Sequence, residues 1–163
     1  MTPLRVNLRQ LEREAIELRG ELSAADLELE AVDELIRVNQ PVRYALEVQL
    51  AGRGVLARGR VWLTLECECC RCLRPFATEL DLRDWSLHLA LDGPDRVPVR
   101  DDGVDLTPFV REDILLAFPQ NPVCDPGCAG LPNPSASGVP CSDTTRPGAG
   151  TVSAWAVLNK LRL

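Results

Sequence analysis

Between Val42 and Leu50 every second residue is apolar: Val42, Tyr44, Leu46, Val48 and Leu50 alternate with Arg43, Ala45, Glu47 and Gln49. A period of two predicts a strand with one buried face. Ala51-Gly52-Arg53-Gly54 carries the turn chemistry of a hairpin. The predicted return strand, Val55 to about Cys67, places Val55, Ala57, Gly59, Val61, Leu63 and Leu65 on one face. Arg58, Arg60, Trp62, Thr64 and Glu66 share the other. A third run begins near Phe76 with Thr78, Leu80 and Leu82, then changes phase to Trp85, Leu87, Leu89 and Leu91. That change predicts a bulge near Arg83-Asp84. Together the three runs predict an antiparallel sheet.

Flanking this sheet, the pattern turns helical. Asn7 predicts a capped amphipathic helix through Leu8, Leu11, Ala15, Leu18 and Leu22. Ala25 to Val32 alternates like a strand, while Val32 to Ile36 suits a helical turn, and the pattern does not choose between them. Gly93 to Asp105 reads as loop. Thr107-Pro108 predicts an N-cap with proline at the first helical position, Val110, Ile114, Ala117 and Phe118 form the apolar face, and Pro119 stops the helix. Arg111, Glu112 and Asp113 are its solvated side, not a catalytic carboxylate pair. From Pro119 to Gly150 the chain is poor in hydrophobes and rich in Pro, Gly, Ser and Thr, so it needs a tether or stays mobile. Ser153 then caps a final helix with Trp155, Leu158 and Leu161 on one side, which we expect to pack back on the domain. The fold class is therefore α+β, an antiparallel β-sheet packed with a few helices, in one domain. We divide it into an N-terminal helical segment (1–40), a sheet-and-helix core (41–118) and a tail (119–163).

The turn between the second and third strands changes the picture. Cys67, Cys69, Cys70 and Cys72 fall within six residues there, and Cys124-Asp125-Pro126-Gly127-Cys128 repeats the theme downstream with CxxxC spacing. A short loop of either kind turns two thiolates toward one point, and two such loops supply the four-sulfur set that zinc prefers. The same residues are also compatible with a redox CxxC, a disulfide, or thiols packed as small hydrophobes. The N-terminus lacks the apolar core of a signal peptide, and no run of about eighteen apolar residues occurs. We therefore expect a cytoplasmic protein, in which thiols stay reduced and metal is favoured over cystine.

Charge argues against a dedicated nucleic-acid binder. The chain of 163 residues carries a net −6, with a pI near 4.9, where phosphate binders carry a basic excess. Any RNA contact has to come from a local patch. Arg58, Arg60 and Trp62 on one strand face, with Arg71 and Arg74 in the following turn, have the chemistry to hold a phosphate backbone and stack a base. The plainer reading is a solvated face whose arginines pair with Glu47 and Glu66 across strands. His88, the single histidine, alternates to the face opposite Leu87 and Leu89 and reads as a surface residue. No GxSxG, P-loop, GxGxxG or HExxH occurs, and no catalytic constellation emerges.

Cys69-Cys70-Arg71-Cys72-Leu73-Arg74-Pro75-Phe76 resembles the C-x-R-C-L-x-P-F signature of the YceD family, the large ribosomal RNA accumulation proteins. Val104-Asp105-Leu106, Glu112 through Pro119, and Pro122-Val123-Cys124 are similar to its second block, and Ala154 to Leu161 to its closing helix. The likeness runs from about residue 40 to 163. Where members often carry two further cysteines this chain has Pro132 and Ser135, and Cys141 cannot replace both. The resemblance thus implies a zinc site shared between the two blocks, held by Cys69, Cys72, Cys124 and Cys128, with Cys67 and Cys70 as a rival first pair.

It further implies a non-enzymatic factor for accumulation or processing of 23S ribosomal RNA in large-subunit biogenesis, with no small-molecule substrate and no membrane. The expected partner is large-subunit rRNA precursor or a ribosomal protein, held by the sheet and the arginine-rich turn that the cysteine site stiffens. The competing expectation is an acidic protein–protein module that holds a basic ribosomal protein without touching RNA, which the negative net charge favours.

Overall fold

The computed structural model describes residues 4–30 and 32–131. The elements in chain order are β1 (Arg5–Asn7), α1 (Leu8–Leu11), β2 (Ile16–Leu22), β3 (Ile36–Arg37), β4 (Val42–Ala51), β5 (Gly54–Glu68), β6 (Pro75–Ala90), β7 (Gly103–Asp105) and α2 (Thr107–Leu116). Cys141, Pro132, Ser135 and the predicted C-terminal helix with Trp155, Leu158 and Leu161 lie outside the described residues.

β5 organises the fold. All of its pairings are antiparallel: β4 along its first half, β3 at Glu66 and Cys67, and β6 along its whole length. β2 extends the sheet beyond β4, with Ile16 opposite Val48 and Leu22 opposite Val42. Separately, β1 and β7 form a two-stranded ribbon with Val6 opposite Val104. No described helix is long and apolar enough to cross a membrane.

The alternation in β4 and β5 fulfils its prediction. Val42, Leu46 and Val48 of β4 are buried with Val55, Ala57, Val61, Leu63 and Leu65 of β5. Gly52, at a φ of +61°, makes the first of two turn residues between Ala51 and Gly54. The predicted bulge is present as well. Gly59 pairs with Trp85 and Val61 with Leu82, so Arg83 and Asp84 together oppose Arg60. The extra residue returns Trp85 and Leu89 to the core face. Gly59 is required here, since a Cβ would collide with the carbonyl oxygen of Ala45 on β4.

The helix predicted from Asn7 to Leu22 is not formed. Asn7 does cap, its side chain accepting from the Arg9 amide at 2.9 Å, but the helix ends after Leu11. Leu18 and Leu22 satisfy both a helical and a two-residue spacing, Ile16 only the latter, and the free edge of β4 settles the choice by offering a ladder of partners. Gly20, costly inside a helix, fits the strand because the ring of Tyr44 lies where its Cβ would be. The described residues between Ser23 and β3 are neither strand nor helix. Ser23 and Asp26 form a local turn, Oγ to Oδ2 at 2.7 Å, that buries Leu27 and Leu29.

Two further expectations shift. The predicted loop from Gly93 to Asp105 ends in β7, because Val104 is needed to close the core against Val6. The cap of α2 is Leu106 rather than Thr107, whose hydroxyl instead accepts from the Leu4 amide at 3.3 Å. Val110 and Ile114 of α2 are buried in the same cluster as the sheet's core face. The polar side of α2 is anchored to its neighbours. Asp113 accepts from the Trp85 indole at 2.7 Å and Arg111 donates to the Leu27 carbonyl at 2.8 Å.

Candidate metal centre

β5 ends at Glu68 and β6 begins at Pro75, so the six residues between them must reverse the chain. Cys69 donates its amide to the Arg74 carbonyl at 2.9 Å and accepts from the Leu73 amide at 2.8 Å. Leu73 takes a left-handed φ of +59°, which completes the reversal. Within this knuckle the Cys69 and Cys72 side chains turn inward while Cys70 is exposed.

The second segment arrives after α2. The Cys70 amide donates to the Pro122 carbonyl at 2.9 Å, which docks the segment on the knuckle. Asp125 then folds a tight turn, accepting from Gly127 through Oδ1 at 2.7 Å and from Cys128 through its carbonyl at 3.0 Å. The Asp-Pro-Gly sequence announced that turn. Nothing in the sequence announced the contact with Pro122.

These two loops bring Cys69, Cys72, Cys124 and Cys128 together, all four sulfurs within 4.8 Å of one another. Cys72 and Cys124 are 3.7 Å apart, Cys69 and Cys128 3.9 Å. A disulfide would need about 2.05 Å. The edge of a sulfur tetrahedron around zinc, from bonds of about 2.3 Å, is roughly 3.8 Å. The donor set and the spacing therefore fit a four-thiolate ion site, and these residues could hold a metal ion. The rival pair is dispersed. Cys67 continues the core face of β5 and is 3% exposed, its thiol pushed up by burial and then by Asp33.

Thiols of the cluster are shifted in opposite directions. The Cys69 thiol is lowered to about 6, first by a hydrogen bond from the Cys124 backbone. Cys72 is lowered as well, chiefly by the side chain of Arg74. Cys124 is pushed up to about 12, first by its sulfur neighbour Cys72 and then by burial. Two groups favour the thiolate and a third is kept protonated by them, because like charges at this distance cannot all ionise unaided. A divalent ion would remove that conflict.

The five residues expected at a nucleic acid lie in two groups. Arg58, Arg60 and Trp62 are on the outer face of β5. Arg60 is bidentate on Asp81 at 2.7 and 2.9 Å, with Glu79 at 3.8 Å, and its guanidinium stacks on Trp62 at 4.8 Å. Its partners are thus on β6, not the Glu47 and Glu66 expected from alternation. Glu47 faces Arg58 in register, and Glu66 accepts from Asn39 at 2.6 Å. Arg71 and Arg74 belong to the knuckle, roughly 26 Å further along β5 by strand rise. Arg71 donates to the carbonyls of Pro126 and Cys128 at 3.4 and 3.3 Å, and Arg74 to the Cys72 sulfur at 3.5 Å. His88 is exposed on β6, as expected of a surface residue.

The family model described as large ribosomal RNA subunit accumulation protein YceD matches residues 57–162. That range takes in most of β5, the knuckle, β6, α2 and the second cysteine segment. No curated protein and no solved structure matches the chain.

Proposed function

The chain belongs to the YceD family of large ribosomal RNA subunit accumulation proteins, and from that membership we propose that it is a non-enzymatic, zinc-stabilised cytoplasmic factor for accumulation of 23S ribosomal RNA in large-subunit biogenesis. The observation that carries the zinc part is the convergence of Cys69, Cys72, Cys124 and Cys128 from segments more than fifty residues apart. Zinc, when bound, supplies a cross-link that needs no oxidising compartment. The four cysteines then pin a segment with little apolar burial of its own to the end of the sheet.

Two features favour an adaptor that grips a basic ribosomal protein over one that grips RNA directly. The net charge is −6, and three of the four arginines expected at phosphates have partners within the chain: Arg60 on Asp81, Arg71 on backbone carbonyls, Arg74 on Cys72. An arginine already paired must give up that partner before it contacts a phosphate. Crosslinking in cells, with sequencing and mass spectrometry of the captured material, tests both readings. Precursor rRNA crosslinked to Arg58, Arg60 or Trp62 would support direct RNA contact, and a ribosomal protein alone would support the adaptor. Deletion that leaves 23S rRNA levels unchanged, with neither partner captured, would overturn the proposal.

A further inference from the structure

The two arginines of the knuckle are exposed, yet both hydrogen-bond to the cysteine segments. Arg74 sends Nε to the Cys72 sulfur at 3.5 Å. Arg71, one residue before Cys72, reaches across to the other segment and binds the carbonyls on either side of Gly127, those of Pro126 and Cys128. We infer that Arg71 and Arg74 are positioning residues of the four-cysteine centre: Arg71 closes the second cysteine segment onto the first, and Arg74 holds the Cys72 thiolate. The inference rests on the metal reading above.

The physical reason is charge and reach. Four thiolates around a divalent ion leave two negative charges in excess, in a chain whose own net charge is −6. A guanidinium donating to one sulfur offsets part of that excess and withdraws electron density from it, which makes the thiolate a weaker base and a poorer nucleophile. Arg71 does something different. The second segment buries only Pro122 among residues 120 to 131, so it has almost no hydrophobic hold of its own. The two hydrogen bonds from Arg71 and the one from the Cys70 amide to Pro122 tie the segment that carries Cys124 and Cys128 to the knuckle. Partners of this kind around metal ligands change affinity by about 10- to 100-fold when removed.

The test uses the full chain with Co2+ and Zn2+ as probes, comparing the unsubstituted protein with R74A, R74K, R71A and R53A. Affinity is read by chelator competition, sulfur-to-cobalt charge transfer by absorption, and thiol exposure by the alkylation rate of the zinc-loaded protein. R74A is expected to bind about 10- to 100-fold more weakly, with a shifted charge-transfer band and faster alkylation. R74K should recover most of the affinity, since an ammonium also donates to sulfur. R71A should lose metal faster with the band unmoved, because Arg71 touches no sulfur. R53A, whose side chain pairs with Asp92 far from the knuckle, should behave as the unsubstituted protein. If R74A does not fold, R74Q keeps the stem, removes the charge and carries the same comparison. Unsubstituted affinity, band and alkylation in R74A or R74Q and in R71A would overturn the inference and leave the metal reading standing. An unsubstituted protein that takes up neither ion would overturn both.

Discussion

Trp85 and Asp113 join β6 to α2: the indole Nε1 donates to the Asp113 carboxylate at 2.7 Å across 28 positions of sequence. Trp85 is buried, and Asp113 is the partner that its N–H finds. D113A should destabilise the fold by about 1–3 kcal/mol, the cost of an unpaired buried donor. D113N keeps an acceptor and should recover most of it. Urea titrations of the two variants check this, and equal midpoints for both would refute it.

Asp81 sets a pH limit on the outer sheet face. Hydrogen bonds first from Arg60 and then from Arg83 lower its carboxyl from 3.8 to about 2. A folded value below the unfolded one means that the carboxylate's contribution is complete above about 4 and is lost as pH falls toward about 2. In D81N that part of the acid limb should flatten. Melting temperatures measured from pH 5 to pH 2 for both proteins decide it; parallel acid limbs would show that Asp81 contributes nothing.

Purified under reducing conditions without chelator, the protein should carry about one zinc per chain. C69S and C128S should each abolish stoichiometric zinc, whereas C70S should not, because Cys70 is exposed and outside the cluster. Elemental analysis reads the outcome directly. Metal-free protein with every thiol titratable would remove zinc from the account.

Chelation should free the second cysteine segment while leaving the sheet intact. Residues 119–131 are attached through the knuckle, whereas β4, β5 and β6 are held by their ladders and core. Limited proteolysis of the chelated protein should cut between Pro119 and Leu131 before it cuts the sheet. Identical digestion patterns with and without chelator would contradict this.

At the bulge, G59A should cost more than an ordinary glycine replacement. The added Cβ meets the Ala45 carbonyl, and the backbone there sits at a φ of +152°. A loss of roughly 1–3 kcal/mol is expected. Unchanged thermal stability would mean that β4 can move aside.

Strands β4, β5 and β6 and the bulge at Arg83-Asp84 were legible in the sequence because a period of two has one meaning when it persists over seven or more residues of one sheet. The same parity puts Cys67 in line with Val61, Leu63 and Leu65, so its core position was implicit in the pattern too. For the cysteines, spacing and family resemblance favoured Cys69, Cys72, Cys124 and Cys128 but left Cys67 and Cys70 as a rival first pair. Convergence of the favoured set was decided by tertiary structure, since it depends on α2 delivering Cys124 beside a turn more than fifty residues earlier. The helix expected from Asn7 to Leu22 failed for another reason. Leu18 and Leu22 suit a helix and a strand equally, and what separates the two is an unpaired edge on β4 that no local pattern reveals. The arginines follow the same logic. Sequence identifies Arg60, Arg71 and Arg74 as cations able to meet a phosphate, but which anion or carbonyl they meet first is set by the strands and turns that surround them.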